Sequence, residues 1–339
     1  MGRSLRVGLY ATIGALGGLQ AAGVGGGWRL AVAEEFPTVT QVYQNHTIDS
    51  TRWQHVRPRR DDIIVVTPYK SGTTWMQAIV IHLIFQDLEV RDIDGMSPWI
   101  ELRRRPLDEV VAEIEACARR RVLKSHLPLD GLPFFPEAKY IFVGRDPRDV
   151  FMSLWNHYSN YTDANFASVN DPVGRVGPPL PPCPSDIRDF WRNWIGKGWF
   201  SGDSEGYPFW SNLRHAKSWW DYRGMPNLLF VHYSDLLADL SGEILRVAAY
   251  LGIGVTPETV GAIAEKVSFD AMKRDAARVL PNREGRFVGG AATFIFKGTN
   301  GRWREVLSEE DLELYRAAMA RELTPDCARW LEQGGRVAT

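Results

Sequence analysis

The chain has 339 residues, of which 45% are hydrophobic and 24% charged, as in an ordinary globular protein. Its formal net charge of -1 shows no global excess of positive charge, which argues against nucleic acid as a partner and against an anionic membrane. Three scattered cysteines without histidine at ligand spacing (Cys117, Cys183 and Cys327) predict neither a disulfide framework nor a zinc site.

Residues 1–35 are interpreted as an extension preceding a domain that spans residues 36–335. Arg3 and Arg6, a Gly/Ala-rich stretch and the sequence AVA at 31–33 loosely resemble a signal peptide. Dense glycine and Arg29 argue against export, and the stretch is too weakly apolar for stable membrane insertion. We therefore favour a disordered extension or a misplaced start codon, with a cleaved signal as the alternative.

Apolar runs alternate with helical patterns through the middle of the chain. Nearly continuous apolar residues predict buried strands at 62–67, 139–144 and 227–232, with a further strand at 121–125. Helical patterns occupy 73–87, 106–119, 147–160, 210–222 and 235–251. This alternation predicts an α/β fold, a single domain with a central parallel sheet flanked by helices.

Two irregular stretches interrupt the alternation. Residues 171–186 contain six prolines, and the sheet elements on both sides indicate a surface insertion rather than a domain boundary. A long stretch after residue 278 precedes a helix that opens with a capping box at 308–311. A loop of this length in a compact domain is usually functional or disordered.

The first strand runs into the polar turn TPYKSGTTW at 67–75. The amides and hydroxyls of residues 71–74 would converge on an anion at a helix N-terminus, and Lys70 adds a positive charge. In the nucleotide-triphosphate loop the lysine follows the last glycine, whereas here it precedes Gly72. The alternative is an ordinary turn capped by hydroxyls.

Two other strands end in residues that suit anion chemistry. Lys124 and His126 close the second strand, and Arg145 closes the third, with Ser153 two turns along the next helix. Ligands of open parallel sheets bind beyond the carboxyl ends of the strands, so these side chains should meet Lys70. A neutral imidazole there could accept a proton from an attacking hydroxyl.

Simpler explanations remain open for these residues. Arg145 could form a salt bridge to Asp146 or Asp149, and a lone histidine is more often a surface or core residue. His157 and His215 fall on helical patterns and are interpreted as structural or solvated. The stretch FKGTNGRW at 296–303 suits an anion-binding lid, although such loops are common.

Together these stretches resemble the cytosolic-type sulfotransferase family, which uses 3′-phosphoadenosine 5′-phosphosulfate (PAPS). TPYKSGTTW resembles the family's 5′-phosphosulfate loop, KSHLP its catalytic-histidine segment, RDPRDVFMS its 3′-phosphate motif and FKGTNGRW its RKGxxGxW motif. SPWIELRRRPLDEVV and FVGRDPRDV bring the chain nearest to bacterial members, such as glycolipid and aryl sulfotransferases. The resemblance covers roughly residues 50–325 and implies a fold like that of the P-loop nucleotide kinases.

The resemblance also implies roles at the matching positions. His126 corresponds to the catalytic base, Lys124 to an assisting lysine, and Lys70 to the lysine that acts on the leaving group. The implied donor-binding residues are Ser71, Gly72, Thr73 and Thr74 for the 5′-phosphosulfate, Trp75, Tyr233, Ser268, Phe269 and Met272 for the adenine, and Arg145, Ser153, Lys297 and Gly298 for the 3′-phosphate.

Two positions depart from the family pattern. The first loop reads Thr-Pro-Tyr-Lys where the family has Thr-Tyr-Pro-Lys, a change that the turn should tolerate. Phe296 stands where the family has an arginine, so one charge-assisted contact to the 3′-phosphate is missing and weaker donor binding is expected. Arg283, Arg286 or Arg302 could substitute for it.

The resemblance implies in-line transfer of sulfonate from PAPS to a hydroxyl, without a metal, because sulfonate oxygens carry less charge than phosphoryl oxygens. Trp99 and the aromatic residues Trp199, Phe200, Tyr207, Phe209 and Trp210 are expected to line a pocket for an apolar, aromatic or glycolipid acceptor. A cytoplasmic location is predicted because PAPS is a cytoplasmic donor, and a homodimer is left open.

Two alternative functions belong to other classes. A small-molecule or nucleotide kinase with a variant phosphate loop would need Mg²⁺ ligands, one of which Asp146 could supply. A non-catalytic PAP-binding relative is favoured slightly by Phe296 and by the signal-like N-terminus, whereas Lys70, Lys124 and His126 argue against it.

Overall fold

The computed structural model describes residues 36–337, so the extension predicted at residues 1–35 lies outside the described residues. The described part forms an α/β fold around one sheet, as predicted. Within it, no helix combines the length and apolarity needed to span a bilayer.

The sheet has four parallel strands: β1 (Ile63–Val66), β2 (Val122–Ser125), β3 (Lys139–Gly144) and β4 (Leu228–His232). Their order is β2-β1-β3-β4, which places β1 between β2 and β3. In register, Val66 lies opposite Ser125 and Phe142, and Gly144 lies opposite His232. The carboxyl ends of all four strands therefore meet at one edge, and all four predicted strands are confirmed.

Helices connect and cover the strands. In the described residues the α-helices are α1 (Thr73–Phe85), α2 (Ile93–Met96), α3 (Leu107–Ala116), α4 (Pro147–Ser159), α5 (Asp163–Val169), α6 (Ile187–Gly196), α7 (Asn212–Trp220), α8 (Tyr233–Ala238), α9 (Leu240–Leu251), α10 (Pro257–Lys266), α11 (Phe269–Arg274), α12 (Ala276–Val279), α13 (Gly290–Phe294), α14 (Glu309–Glu322) and α15 (Pro325–Gln333). Short 3₁₀ turns span Ser50–His55, Leu129–Gly131, Pro281–Arg283 and Arg302–Glu305.

Both faces of the sheet are buried, which explains the continuous apolar runs of the strands. Ile64 and Val66 point into a core formed with α4, α6, α7, α14 and α15. Ile63 and Val65 point to the opposite face, against α1, α9 and α10. The sheet is thus the middle layer between two sets of helices.

One helix that was predicted to be continuous is interrupted in the structure. The pattern at 235–251 forms two helices, α8 and α9, because Asp239 leaves the helical conformation with φ −147° and ψ 78°. Its side chain accepts a hydrogen bond from the amide of Gly242 (2.9 Å) and so caps α9.

The first irregular stretch is found where it was predicted, whereas the second is only partly irregular, because it contains the short helix α13 and two 3₁₀ turns. Residues 171–186 contain neither helix nor strand, and α6 begins directly after them. The stretch after Val279 folds back over the carboxyl edge of the sheet, where Phe287 forms a β-bridge with Tyr161. The capping box at Ser308 and Asp311 is confirmed.

Candidate active site

A cavity opens at the carboxyl edge of the sheet, and most of the predicted site residues line it. They come from the β1–α1 turn, the ends of β2 and β3, helices α4, α8 and α11, and the stretch that follows α13. The predicted residues on its wall are Lys70, Gly72, Thr73, Thr74, Trp75, Lys124, His126, Arg145, Ser153, Tyr233, Phe269, Met272, Lys297 and Gly298.

Ser71 and Ser268 are the two predicted residues that do not line the cavity. Ser71 is fully buried in the β1–α1 turn, and its hydroxyl donates to the carbonyl of Tyr69 (3.4 Å). Ser268 caps α11, with its hydroxyl accepting from the amide of Ala271 (3.3 Å). Both hold elements of the wall in place rather than presenting a side chain to the cavity.

The β1–α1 turn requires a glycine at its centre. Gly72 has φ 106°, and a Cβ there would lie 2.8 Å from the ring of Tyr233. Lys70 also has a positive φ of 60°, which bends the chain so that α1 can start at Thr73. The N-terminus of α1 therefore faces the cavity with its free amides.

His126 is held in one orientation at the end of β2. Its Nδ1 lies 2.9 Å from the backbone carbonyl of Thr67 and 3.1 Å from the hydroxyl of the same residue. Because a carbonyl only accepts, the ring proton sits on Nδ1. Nε2 is then the unprotonated nitrogen, which a general base requires.

A buried carboxylate, which the sequence patterns did not single out, supports this histidine. Glu101 accepts hydrogen bonds from the His126 amide, from the Ser125 hydroxyl (2.9 Å) and from Trp53 Nε1 (2.9 Å). Burial raises the pKa of Glu101. The residue lies in the SPWIELRRR stretch used for the family resemblance, but no chemistry had been assigned to it.

Two buried lysines flank the histidine. Burial, followed by the charges of Arg283 and Lys124, lowers the pKa of Lys70 from 10.5 to about 7. Burial lowers the pKa of Lys124 to about 8, and its Nζ lies 4.8 Å from the centre of the Trp99 ring. Burial and Lys124 keep the pKa of His126 well below 6.5, so the imidazole is neutral near pH 7.

His157 is part of the cavity wall, which the sequence interpretation missed. Its Nδ1 lies 3.3 Å from Lys70 Nζ, and its Nε2 lies 3.1 Å from the hydroxyl of Tyr161. It follows Ser153 by four residues on α4, and this spacing places both on one helix face. That spacing was the available signal.

Arg145 is free of the salt bridge that its sequence neighbours suggested. Its guanidinium donates to the Asn300 side chain (2.9 Å) and to the carbonyls of Thr299 (3.1 Å) and Lys70 (3.3 Å), and it stacks 4.0 Å from the Tyr233 ring centre. Asp146 instead caps α4 and pairs with Arg148 (2.8 Å). Both Asp146 oxygens therefore accept hydrogen bonds from Arg148, which argues against Asp146 as the Mg²⁺ ligand considered for a kinase.

The Phe296 departure has a neighbour that can compensate for it. The guanidinium of Arg302 lies 5.1 Å from the centre of the Phe296 ring, and its Nε is buried without a hydrogen-bond partner. Burial, then the charge of Arg145, lowers the pKa of Arg302. Of the three candidate substitutes, Arg302 is the one beside Arg145. A glycine is required next to this site, because a Cβ on Gly298 (φ 65°) would lie 2.4 Å from the Phe269 ring.

Aromatic rings close the two ends of the cavity. At one end, the rings of Trp75 and Tyr233 meet at 5.3 Å and 67°. At the other end, Trp99 lies edge-on to His126 at 4.9 Å, and Phe209 and Trp210 complete the wall. The cavity thus has an aromatic platform on each side of the lysines.

Three of the aromatic residues expected in the acceptor wall are elsewhere. Trp199 packs edge-on against His46 (4.9 Å) and stacks on Tyr207 (5.7 Å), whereas Phe200 contacts Tyr43 (5.0 Å). None of the three lines the cavity. The expectation for them was wrong because loop context does not tell which ring faces inward.

Comparisons with known proteins identify the family of this chain. The sulfotransferase domain matches residues 60–325. The glycolipid sulfotransferase of Mycobacterium bovis is 31% identical over 316 residues, which cover 87% of this chain and 95% of that protein. Sulfotransferase 1A1 of Rattus norvegicus is 27% identical and covers 79% of this chain and 86% of that protein.

Solved structures agree on the fold. Mouse sulfotransferase SULT7A1, complexed with PAP, superposes with a TM-score of 0.63 at 21% identity, over 83% of this chain and 92% of that one. Retinol dehydratase in a complex with retinol and PAP gives a TM-score of 0.61 at 21% identity, over 82% and 87%. With the domain match and the 31% identity, these results show that the chain belongs to the sulfotransferase family.

Proposed function

We propose that this sulfotransferase moves the sulfonate group of PAPS to a hydroxyl of an apolar, aromatic or glycolipid acceptor, with His126 as the general base. The observation that carries the proposal is the orientation of His126, whose Nδ1 proton is held by the Thr67 carbonyl (2.9 Å). Nε2 is left free in the same cavity as Lys70 and Lys124.

The charge of the cavity supports a polyanionic donor. Among residues 36–337, eight cationic side chains line its wall and no Asp or Glu does. We assign the phosphosulfate to the α1 N-terminus with Lys70 and Lys124, and the 3′-phosphate to Arg145, Ser153, Lys297 and Arg302. The adenine would lie between Trp75, Tyr233 and Phe269.

The residues then divide the chemistry between them. His126 accepts the hydroxyl proton as a bond forms from the acceptor oxygen to sulfur and the bond from sulfur to the bridging oxygen breaks. Lys70 stabilises the negative charge that develops on the bridging oxygen, and Lys124 offsets charge on the sulfonate oxygens. Since side chains supply this charge, we expect turnover without Mg²⁺, so activity that EDTA abolishes and Mg²⁺ restores would contradict the proposal.

The acceptor class rests on the wall beyond His126. Trp99, Phe209 and Trp210 offer flat apolar surfaces on which an aromatic ring or a lipid chain can pack. The mycobacterial relatives named glycolipid sulfotransferases support the same class. We place the reaction in the cytoplasm, where the donor is made.

Replacing His126 tests the assignment. We expect His126→Ala to lower kcat by about 10³-fold, within the range for loss of a general base, while calorimetry shows PAP binding within about twofold of wild type. His55→Ala, at an exposed histidine, is the matched control. Turnover is measured by mass spectrometry with a panel of phenols, sterols and glycolipids. Near-normal turnover of the His126 variant would contradict the role of His126 as base.

The same measurements separate the alternatives. Retention on immobilised PAP without turnover of any acceptor would favour a non-catalytic relative. Binding of ATP with Mg²⁺ in preference to PAP would favour a kinase.

A further inference from the structure

The donor does not account for all the positive charge in the cavity. A 3′-phosphate carries about two negative charges near neutral pH, and the phosphate and sulfonate of the bridge add roughly one each. The five cationic side chains already assigned to the donor exceed these four charges: Lys70, Lys124, Arg145, Lys297 and Arg302. Three further arginines line the same wall: Arg104, Arg283 and Arg286.

These three arginines, the arginine cluster, adjoin Lys70, the lysine that we assign to the bridging oxygen. The Arg283 guanidinium lies 4.9 Å from the centre of the Phe294 ring, and Lys70 Nζ lies 4.3 Å from the same centre. Arg104 donates to the side-chain oxygen of Asn165 (2.9 Å). The pKa of His157 is lowered by burial and then by Lys70, Arg283 and Arg104, so this ring lies among all three charges.

The arginine cluster has too few acidic partners. Arg283 pairs with Asp94 at 2.9 Å. In residues 36–337, no carboxylate oxygen lies within 4.0 Å of Arg104 or Arg286. The Nε atoms of Arg104 and Arg283 are buried without hydrogen-bond partners. Burial, with the neighbouring arginines, lowers the pKa of Arg104 from 12.5 to about 10.

Like charges held together and partly desolvated are unfavourable until an anion joins them. Arg104 lies in the turn after Trp99, and Arg283 and Arg286 precede the FKGTNGRW motif at 296–303, so none of the three belongs to a donor motif. The cluster lies near the aromatic wall beyond His126, because the charge of Arg283 acts on Lys124 and Lys124 Nζ lies 4.8 Å from the centre of the Trp99 ring. Its position therefore fits the acceptor rather than the donor.

We infer that the acceptor carries an oxyanion as well as its hydroxyl, and that Arg104 and Arg286 bind this group. The inference rests on the proposed function, which places the acceptor beyond His126. A carboxylate, phosphate or sulfate would suit the planar donor fork of arginine. An apolar or aromatic body between the hydroxyl and the anion would pack on Trp99, Phe209 and Trp210. The acceptor class is thereby narrowed to amphipathic hydroxy anions.

Calorimetry on the PAP-saturated protein tests the inference with matched phenols. The probes are 3-(4-hydroxyphenyl)propanoate, 4-hydroxybenzylphosphonate, 4-hydroxyphenylmethanesulfonate and the neutral 3-(4-hydroxyphenyl)propanamide. We expect at least one anionic probe to bind about tenfold or more tightly than the amide. The three anions distinguish a carboxylate, a phosphate-type and a sulfate-type group.

Substitutions then test which arginines cause the preference for the anionic probes. Arg104→Gln and Arg286→Gln each remove one charge, and we expect either to reduce the anion-to-amide affinity ratio by about fivefold or more. The matched control is Arg175→Gln, which removes a charge outside the cavity and should keep the wild-type ratio. Melting temperatures measured alongside show that each variant is folded.

Each outcome decides the inference. Equal affinities for the anions and the amide, or no binding of any probe to the PAP complex, would overturn it while leaving the donor assignment intact. A parallel loss of PAP affinity in the Arg104 and Arg286 variants would assign these arginines to the donor and also overturn it. Failure of PAP itself to bind the wild-type protein would overturn the proposed function as well.

Discussion

The two halves of the cavity are built in different ways. The half that we assign to the donor lies on strand ends and short contiguous motifs, so that Lys70, His126 and Arg145 are placed by the register of three neighbouring strands. The half that we assign to the acceptor is assembled from loops far apart in the chain, among them the turn with Arg104 and the stretch with Arg286. A parallel sheet can thus hold a constant reaction centre while its loops vary the substrate.

The largest expected effect comes from a substitution of Lys70, which lies where the two halves of the cavity meet. We expect Lys70→Ala to lower kcat by about 10³-fold, because no other side chain is assigned to the charge on the leaving oxygen. Lys217→Ala is a suitable control, since Lys217 is a half-buried lysine outside the cavity that pairs with Asp221 (2.6 Å). Steady-state kinetics with saturating PAPS provides the measurement, and a Lys70 variant that keeps a tenth of the activity would refute its role.

Arg145 tests the donor half alone. Arg145→Lys keeps the charge but loses the fork that now bonds Asn300 and the carbonyls of Thr299 and Lys70. We expect PAP affinity to fall by about 30-fold, as for the loss of a buried charge-assisted pair. Calorimetry with PAP measures this, and an unchanged affinity would remove Arg145 from the 3′-phosphate site.

A substitution of Arg302 tests whether this side chain replaces the arginine that the family has at the position of Phe296. We expect Arg302→Gln to weaken PAP binding by about tenfold, the cost of one charge-assisted hydrogen bond. Arg304→Gln is the matched control two residues away, where the guanidinium is exposed and stacks 4.8 Å from the Trp303 ring.

A second substitution sharpens the same comparison. If Arg302 replaces the family arginine, Phe296→Arg should restore PAP affinity in the Arg302→Gln background and add little to the wild type. Equal gains in both backgrounds would show that Arg302 contributes nothing at this position.

The smallest expected effect is the change of PAP affinity with pH. Burial holds the pKa of free Lys70 at about 7, and the 5′-phosphate of bound PAP must raise this pKa because an opposite charge favours the ammonium form. A pKa raised by binding means that affinity is greatest below the free value and falls as pH rises through it. We expect PAP affinity to fall about fivefold from pH 7 to pH 8, where the 3′-phosphate is already ionised.

A Lys70 variant tests whether Lys70 causes this fall in PAP affinity with pH. In Lys70→Met, calorimetry over the same interval should show a smaller fall, with the remainder due to Lys124, whose pKa is about 8. A wild-type affinity that rises with pH would contradict the assignment.

Much of the donor half was predictable, for a physical reason. Strands buried on both faces must be apolar throughout, so their ends, and with them His126 and Arg145, are visible as breaks in the pattern. The break of the predicted helix at Asp239 was not visible, because aspartate is tolerated inside a helix and only its side-chain bond to Gly242 shows that it acts as a cap.

The sequence analysis also missed two residues that hold His126 in place. Glu101 reaches the His126 amide, and Thr67 sets the tautomer of the same ring, through contacts between residues 25 and 59 positions apart. No local pattern reports such pairings, because either residue would look ordinary in its own segment. Their roles follow only from hydrogen bonds that the packed sheet creates.

By itself, the sequence determined the family, the parallel sheet, the order of the anion-binding motifs and the identity of the lysines and the histidine that meet at the sheet edge. Only the tertiary structure decided that Arg302 lies beside Arg145, that Trp199, Phe200 and Tyr207 face away from the cavity, and that His157 and the arginine cluster face into it. Local hydrophobic periodicity encodes strands and helices, whereas the direction of a loop side chain depends on which distant segment packs against it.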